Sequence, residues 1–235
     1  MSSVYEYNYN NPYERKLLLW EEGLFSDVTV RTRDAEYRLH KTILCEKSAF
    51  FFKALNGKWK ESEEGIVNMM HLNPSTAKAM LQYIYLGEYD LHDIDVPFAD
   101  QLFDHVDIHA AGIMYSVDGL PEIAARNFEY VFRNGDEREQ IDAVVDIIPV
   151  LCETIPAGAE SGIVDDVSDF IAENLGVMRT ETALTDVLSR FGSFNIEVYA
   201  RIHAKLCEPK HAVYAVSWEV EEKPATTTQG ANNEW

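Results

Sequence analysis

Two histidines one helical turn apart, His105 and His109, are the first residues whose types and spacing suggest chemistry. Spacing by four puts both imidazoles on one face of a helix. Zinc proteases hold metal that way, with a glutamate directly after the first histidine as general base. Here Val106 stands in that place and Asp107 projects from a different face. The mechanism lacks its base, so metal catalysis is not expected. His203, Cys207 and His211 are spaced by four and four and are three potential zinc ligands. Pro209 breaks the helix that would align them, and structural zinc takes four ligands, of which the fourth is not evident. The sequence contains no Gly-x-Ser-x-Gly elbow, no Gly-x-Gly-x-x-Gly and no phosphate loop ending in Gly-Lys-Ser/Thr. Cys45 and Cys152 show no neighbouring basic group that would make a thiolate. No catalytic, cofactor or metal residue is therefore assigned, and the chain is not expected to be an enzyme.

What positions these residues is a chain of 235 residues, 46% hydrophobic and 11% aromatic, enough to build a core. It contains no run of eighteen apolar residues, so no membrane span is expected. The first ten residues carry no apolar signal region, which argues against secretion. Three widely separated cysteines fit a reducing compartment, so the cytoplasm or nucleus is expected. The net charge of −20 is unevenly placed: residues 1–90 carry 11 basic and 13 acidic side chains, residues 91–235 carry 9 and 27. A binder of the nucleic-acid backbone needs clustered Lys and Arg. The second half offers the opposite field, so no direct nucleic-acid contact is expected. The acidic face either keeps the protein soluble or meets a basic partner.

The stretch Ser26 to Tyr89 is the most structured to read. Asp27-Val28-Thr29-Val30-Arg31 and Glu36-Tyr37-Arg38-Leu39 alternate as strands, with Arg33-Asp34-Ala35 as the turn of a hairpin. His40 to Leu44 leads into Ser48 to Leu55, whose three consecutive phenylalanines, Phe50 to Phe52, predict a helix that is apolar all round and buried. Trp59 to Gly65 reads as a polar connection and Ile66 to Leu72 as a third strand. Asn73-Pro74 predicts a helix start and Gly87 its end, with Ala77, Met80, Leu81, Ile84 and Tyr85 on the inner face.

These residues resemble a BTB/POZ domain. The resemblance is carried by Ser26-Asp27-Val28, His40-Lys41-x-x-Leu44, Ser48-x-x-Phe51-Phe52, Trp59-x-Glu61-Ser62, Leu72-x-Pro74 and Leu81-x-Tyr83-Ile84-Tyr85-x-Gly87-x-Tyr89. The style of the last segment is similar to fungal members. The resemblance implies an α+β fold, a small three-stranded sheet flanked by helices, followed by a helical extension similar to a shortened BACK region. It implies an interaction module with protein partners. In family members that dimerise, the helix before the first strand forms much of the interface. Leu17, Leu18 and Trp20 of the helix predicted for Pro12 to Glu22 match that place. Packing on its own domain is the competing role. An acidic residue in the first strand and a basic one after the histidine form a charged pocket in repressor members. Asp27 and Lys41 match them, and a structural ion pair is the competing role. Phe98-Ala99-Asp100 fits the short hydrophobic-x-acidic motif by which some members grip a cullin scaffold. The Asp-Lys pair of the fungal pattern is replaced by Ile113 and Met114, an apolar surface in place of a polar one. The functions implied are a homodimerising interaction module, a cullin-ligase adaptor, or a transcription co-regulator. An adaptor is expected to carry a substrate-reading domain, and none is seen in this sequence.

Helices are predicted for Phe98–Tyr115 and Leu120–Phe132, completing a domain over residues 12–134. Beyond it, 135–220 reads as the helical extension: a helix from about Glu137 to Pro156, then Val164–Leu175, Thr182–Phe191 and Phe194–Leu206. Ala212 to Val220 alternates, as an edge strand or a packed extended arm. Residues 1–11 and 221–235, low in aliphatics, are expected to be loose.

Overall fold

The computed structural model describes residues 10–91, 96–155, 161–174, 176 and 182–207. The alternating run 212–220 and the terminal segments lie outside these residues. Eleven helices and one small sheet are seen among them. Helix α1, Pro12–Glu22, is capped by the Asn11 side chain on the Tyr13 amide and has proline in its first turn. Strands β1 (Val28–Arg31) and β2 (Glu36–Leu39) form the expected antiparallel hairpin, pairing Val28 with Leu39 and Arg31 with Glu36. Strand β3 (Ile66–Asn68) lies parallel to β1 on its other edge, Val30 opposite Val67, giving the order β2-β1-β3. It is shorter than the run from Ile66 to Leu72. β1 has only four residues to pair with, and a last bond, Met69 N–H to the Arg31 carbonyl, closes the ladder before the chain turns at Met70.

Helices α2 (Lys41–Lys47) and α3 (Ala49–Leu55) are separated at Ser48, whose extended backbone ends one and caps the other. The supposed polar connection contains a short helix, α4, Lys60–Glu64. Helix α5, Pro74–Leu86, starts at the Asn73 cap and stops at Gly87, as its sequence dictates. The long helices α6 (Phe98–Met114) and α7 (Leu120–Asn134) follow. Then come α8 (Glu137–Thr154), α9 (Gly162–Glu173), α10 (Thr182–Arg190) and α11 (Gly192–Cys207). A reciprocal cap between Asp136 and Glu139 opens α8.

Two cores result. The first joins the sheet to α2, α3 and α5 through Val30, Leu39, Phe51, Met80 and Tyr85. The second is helical and gathers Val144, Ile147 and Ile148 of α8 with Val167 and Ile171 of α9 and Val198 of α11. Helices α6 and α7 serve both. Ile108 and Ala124 belong to the first core; Leu102, Val106, Phe128 and Phe132 belong to the second. One expectation is corrected here. The helix of three phenylalanines is not buried all round: Phe51 is wholly buried, but Phe52 is 52% exposed and Phe50 lies at the surface. Adjacent helical residues point about 100° apart, so a helix with one neighbouring core can bury only one of the three.

Candidate partner-binding surface

The corner between α1 and β1 is the most unusual surface. Gly23 ends α1 with a left-handed backbone, φ 58°, and its amide bonds the Leu19 carbonyl. A Cβ there would also meet the Arg38 carbonyl at 2.9 Å, so two constraints demand glycine. Phe25 then adopts φ 62° with its ring 90% exposed. A left-handed backbone costs a non-glycine residue about 1–2 kcal/mol. Nothing in the described residues repays that by packing the ring. Leu24 beside it is also exposed, while its carbonyl accepts a 2.6 Å bond from His40 Nε2–H.

Of the three residues expected at a dimer interface, Trp20 turns inward. Its ring stacks on Tyr37 at 5.6 Å and lies against Tyr85 at the same distance. Leu17 and Leu18 are half-buried on the same helix. Trp20 thus holds α1 on β2 and α5, and Leu17, Leu18, Leu24 and Phe25 are the apolar side chains this corner has to offer. Sequence reasoning misses Phe25; its one signal is an aromatic placed between the helix stop Gly23 and the first strand.

Asp27 and Lys41 are in contact, but not through their charges. Asp27 Oδ1 accepts the Lys41 backbone N–H at 2.8 Å. The carboxylate thereby caps the start of α2, where His40 supplies no side-chain cap. Below them His40 is buried. Leu24's carbonyl can only accept, so Nε2 carries the proton, and Nδ1 accepts from the Tyr85 hydroxyl at 2.8 Å. Tyr85 also accepts the His40 amide at 2.7 Å, and burial pushes its phenol pKa far up. Cys45 lies near both charges, which corrects the expectation that it has no basic neighbour. Desolvation raises its thiol pKa, Asp27 adds to the rise, and Lys41 opposes it without prevailing. The thiol stays unactivated.

Phe98 and Asp100 diverge. The Phe98 ring packs against the second core and covers Gly135, where a Cβ would come within 2.4 Å of it. Asp100 is exposed. The histidine pair separates as well. His105 Nδ1 lies 2.8 Å from the Tyr89 hydroxyl, and burial pushes the imidazole down to about 4. His109 Nε2 meets the Ser161 hydroxyl at 3.3 Å, and burial lowers its pKa too. Each imidazole serves its own hydrogen bond. Among the described residues no group of three or more metal-binding side chains converges. His203 is exposed; His211 falls outside the described residues. His105 and Tyr89 also wall an open cavity of about 360 Å³ of mixed lining, with Ser75, Lys78, Asp104 and Asn127 on it beside Leu91 and Val96. Ser75 is bonded to Asn73 and Asp104, not to an imidazole base, so the wall holds no activated nucleophile.

A second apolar patch lies on the far side of α3. Phe50 packs edge-on to Tyr115 at 4.7 Å, and Tyr115 reaches His71 through its hydroxyl at 2.8 Å. Burial pushes the Tyr115 phenol up to about 12. Met114 at the end of α6 is 60% exposed, with Ile113 beside it, so the replacement read in the sequence does present apolar side chains to solvent.

The described residues form a small sheet and helices with exposed apolar corners. The family model described as BTB/POZ domain matches residues 17–120. Over 70 residues the chain is 36% identical to the mouse TD and POZ domain-containing protein 1-like, which covers 30% of this chain and 19% of that protein. It is 29% identical over 109 residues to mouse Kelch repeat and BTB domain-containing protein 4, covering 46% and 19%. To mouse Germ cell-less protein-like 2 it is 29% identical over 87 residues, covering 37% and 17%. The chain spans just under a fifth of the length of these curated relatives. No helix among the described residues is long and apolar enough to cross a membrane.

Proposed function

We propose that the chain, whose residues 17–120 match the BTB/POZ domain model, is a protein-interaction module rather than an enzyme and pairs with a second copy of itself at the α1–β1 corner. The observation that carries this reading is Phe25, an aromatic ring 90% exposed on a backbone that costs energy to hold. Interface energy concentrates in a few large apolar anchors, and a two-fold pairing places the same anchor on both partners. Leu17, Leu18 and Leu24 extend the patch. Trp20 acts behind it by fixing α1 on Tyr37 and Tyr85. Asp27 and Lys41 sit at its edge as the cap that fixes the start of α2. The helices after residue 134 act as the scaffold, in the manner of a BACK region. Sedimentation or light scattering at micromolar concentration tests the reading. The wild type is expected as a dimer and Phe25→Glu as a folded monomer. A wild type that is monomeric with an intact fold overturns it.

A second reading, an adaptor on a cullin scaffold, is favoured by the exposed Asp100 in the first turn of α6. Because Phe98 braces Gly135, Phe98→Ala mixes folding with binding. Asp100→Lys isolates the contact: a cullin N-terminal domain is expected to retain the wild type and release this variant. Failure to retain the wild type removes the adaptor reading.

A further inference from the structure

Phe25 keeps a left-handed backbone although its ring packs on nothing, so another contact must hold it. The peptide group joining Leu24 to Phe25 is planar, and φ of Phe25 is the rotation of the following chain about that plane. Both sides of this rotation are tied. Ahead of it, the Leu24 carbonyl accepts the His40 Nε2–H at 2.6 Å, which fixes the plane. Behind it, the Ser26 amide bonds the Gly23 carbonyl at 3.3 Å and the Asp27 amide bonds the Leu39 carbonyl at 3.0 Å. Gly23 to Ser26 thus form a turn with Leu24 and Phe25 at its centre. The second central place is where a type II turn takes a left-handed residue, usually glycine. Here a phenylalanine stands in it.

His40 is itself immobilised. It is 9% exposed, its Nδ1 accepts from the Tyr85 hydroxyl at 2.8 Å, and its amide donates to the same oxygen at 2.7 Å. Tyr85 is wholly buried in the first core, and the two rings lie 5.9 Å apart. Beside them the Lys41 amide is held by Asp27 at 2.8 Å, so the start of α2 is tied to the entry of β1. Position therefore passes from α5 through Tyr85 and His40 to the Leu24 carbonyl, and from there to Phe25.

We infer, with the pairing proposed above as premise, that His40 is the positioning residue of that interface. Through the Leu24 carbonyl it holds the Phe25 backbone left-handed and so aims the ring at the second copy. The energies allow it. A net hydrogen bond and the left-handed penalty are of the same order, so loss of the bond lets Phe25 return to the extended region. The ring then leaves its direction while the core stays folded. A histidine that served the core alone would need Tyr85 but not the carbonyl beside an exposed ring.

Two substitutions separate these roles. His40→Gln keeps a donor at the place of Nε2 and lacks the acceptor at that of Nδ1; His40→Asn does the reverse. Each gives up one buried bond, so both are expected to lose similar stability in urea, with circular dichroism checking the fold. Sedimentation over a concentration series reads the dimer. His40→Gln is expected to dissociate within about threefold of the wild type and His40→Asn about tenfold or more readily, the change that one net hydrogen bond can make. With ¹⁵N placed only at phenylalanine, a strong nuclear Overhauser effect between the Phe25 amide and its own Hα marks the left-handed backbone. It is expected in the wild type and His40→Gln, and lost in His40→Asn. Retention of that signal in both variants, or equal dissociation of the two, makes His40 a core residue only and overturns the inference. If His40→Asn does not fold, Tyr85→Phe carries the test, because it removes the hydroxyl that orients the ring: both readouts are expected to weaken, and no change in either overturns the inference. A wild type that is monomeric removes the pairing, and the Phe25 signal still decides whether His40 holds the corner, so the two failures are told apart.

Discussion

His105 shows what burial does to a single ring. It lies 7% exposed in α6, its Nδ1 on the Tyr89 hydroxyl, and desolvation alone pushes its pKa from 6.5 to about 4. The folded state therefore resists protonation in a range where the unfolded chain accepts it. Between pH 6.5 and about 4 the unfolded state binds the extra proton, so stability is full above pH 6.5 and is lost as pH falls through that window. The whole difference corresponds to about 3 kcal/mol, with His109 shifted in the same direction. His105→Gln keeps an acceptor for Tyr89 and carries no titrating group. Urea unfolding at a series of pH values is expected to show a shallower decline for this variant below pH 6.5 than for the wild type. Identical slopes in both proteins contradict the assignment. Asp166 supplies the opposite sign. Desolvation first, then Glu129, Asp165 and Asp169, raise its pKa to about 6 against the pull of Arg133. A carboxyl raised in the folded state destabilises at neutral pH, and that penalty fades as pH falls from 6 through 3.8. Asp166→Asn is expected to raise the melting temperature at pH 7 and to leave it unchanged near pH 3.5.

At the scale of elements, the joint between α2 and α3 depends on one side chain. Ser48 Oγ accepts the Phe51 amide at 3.1 Å and donates to the Tyr115 carbonyl at 2.6 Å, while its backbone pairs with Val117. Losing a helix cap costs about 1 kcal/mol and leaving a buried carbonyl unpaired about 1–3 kcal/mol. Ser48→Ala is therefore expected to lower stability by about 2–4 kcal/mol in chemical denaturation, whereas Ser62→Ala, at a half-exposed hydroxyl on the Leu55 carbonyl, costs less. The same joint explains what the sequence could and could not disclose. The hairpin, α1 and α5 are legible because alternation, Asn-Pro caps and Gly stops are local signals, and each is satisfied within a few residues. The Ser48 break is half legible: a serine before an apolar run is a cap signal, but its second partner, Tyr115, is 67 residues away. The three phenylalanines mislead because composition says how much is apolar, not how many neighbours a short helix has. At the candidate site, Leu17, Leu18 and Trp20 can be found from their helix. Which of them faces inward depends on Tyr37 and Tyr85, supplied by β2 and α5. Phe25 escapes because an isolated residue in a corner belongs to no period.

The whole molecule is held by helices that belong to two cores at once. Phe128 of α7 is wholly buried and stacks on Phe132 at 5.5 Å, and Phe132 meets Phe170 of α9 edge-on at 5.1 Å. One turn earlier on α7, Ala124 sits in the first core beneath the sheet side of the molecule. Gly112 of α6 lies against Pro121 of α7, where a Cβ would come within 2.9 Å of the ring, so only the Pro121 ring separates the two helices at that point. A boundary drawn after residue 134 would leave Leu102, Val106, Phe128 and Phe132 without the α8 and α9 residues that cover them. Such rigid sharing couples the halves energetically, because a loss in the second core loosens the helices that roof the first. Phe128→Ala removes a fully buried ring, a change that costs about 3–5 kcal/mol. If the cores melted separately, that cost would shift only signals from the helical half. Trp20 reports the sheet side once Trp59, Trp218 and Trp235 are replaced by Phe. In that background the shared helices predict that Trp20 fluorescence and helical circular dichroism fall together in one transition. Phe128→Ala is then expected to displace both probes equally. Two resolved transitions, with the fluorescence midpoint unmoved by Phe128→Ala, would show that α6 and α7 do not transmit the loss.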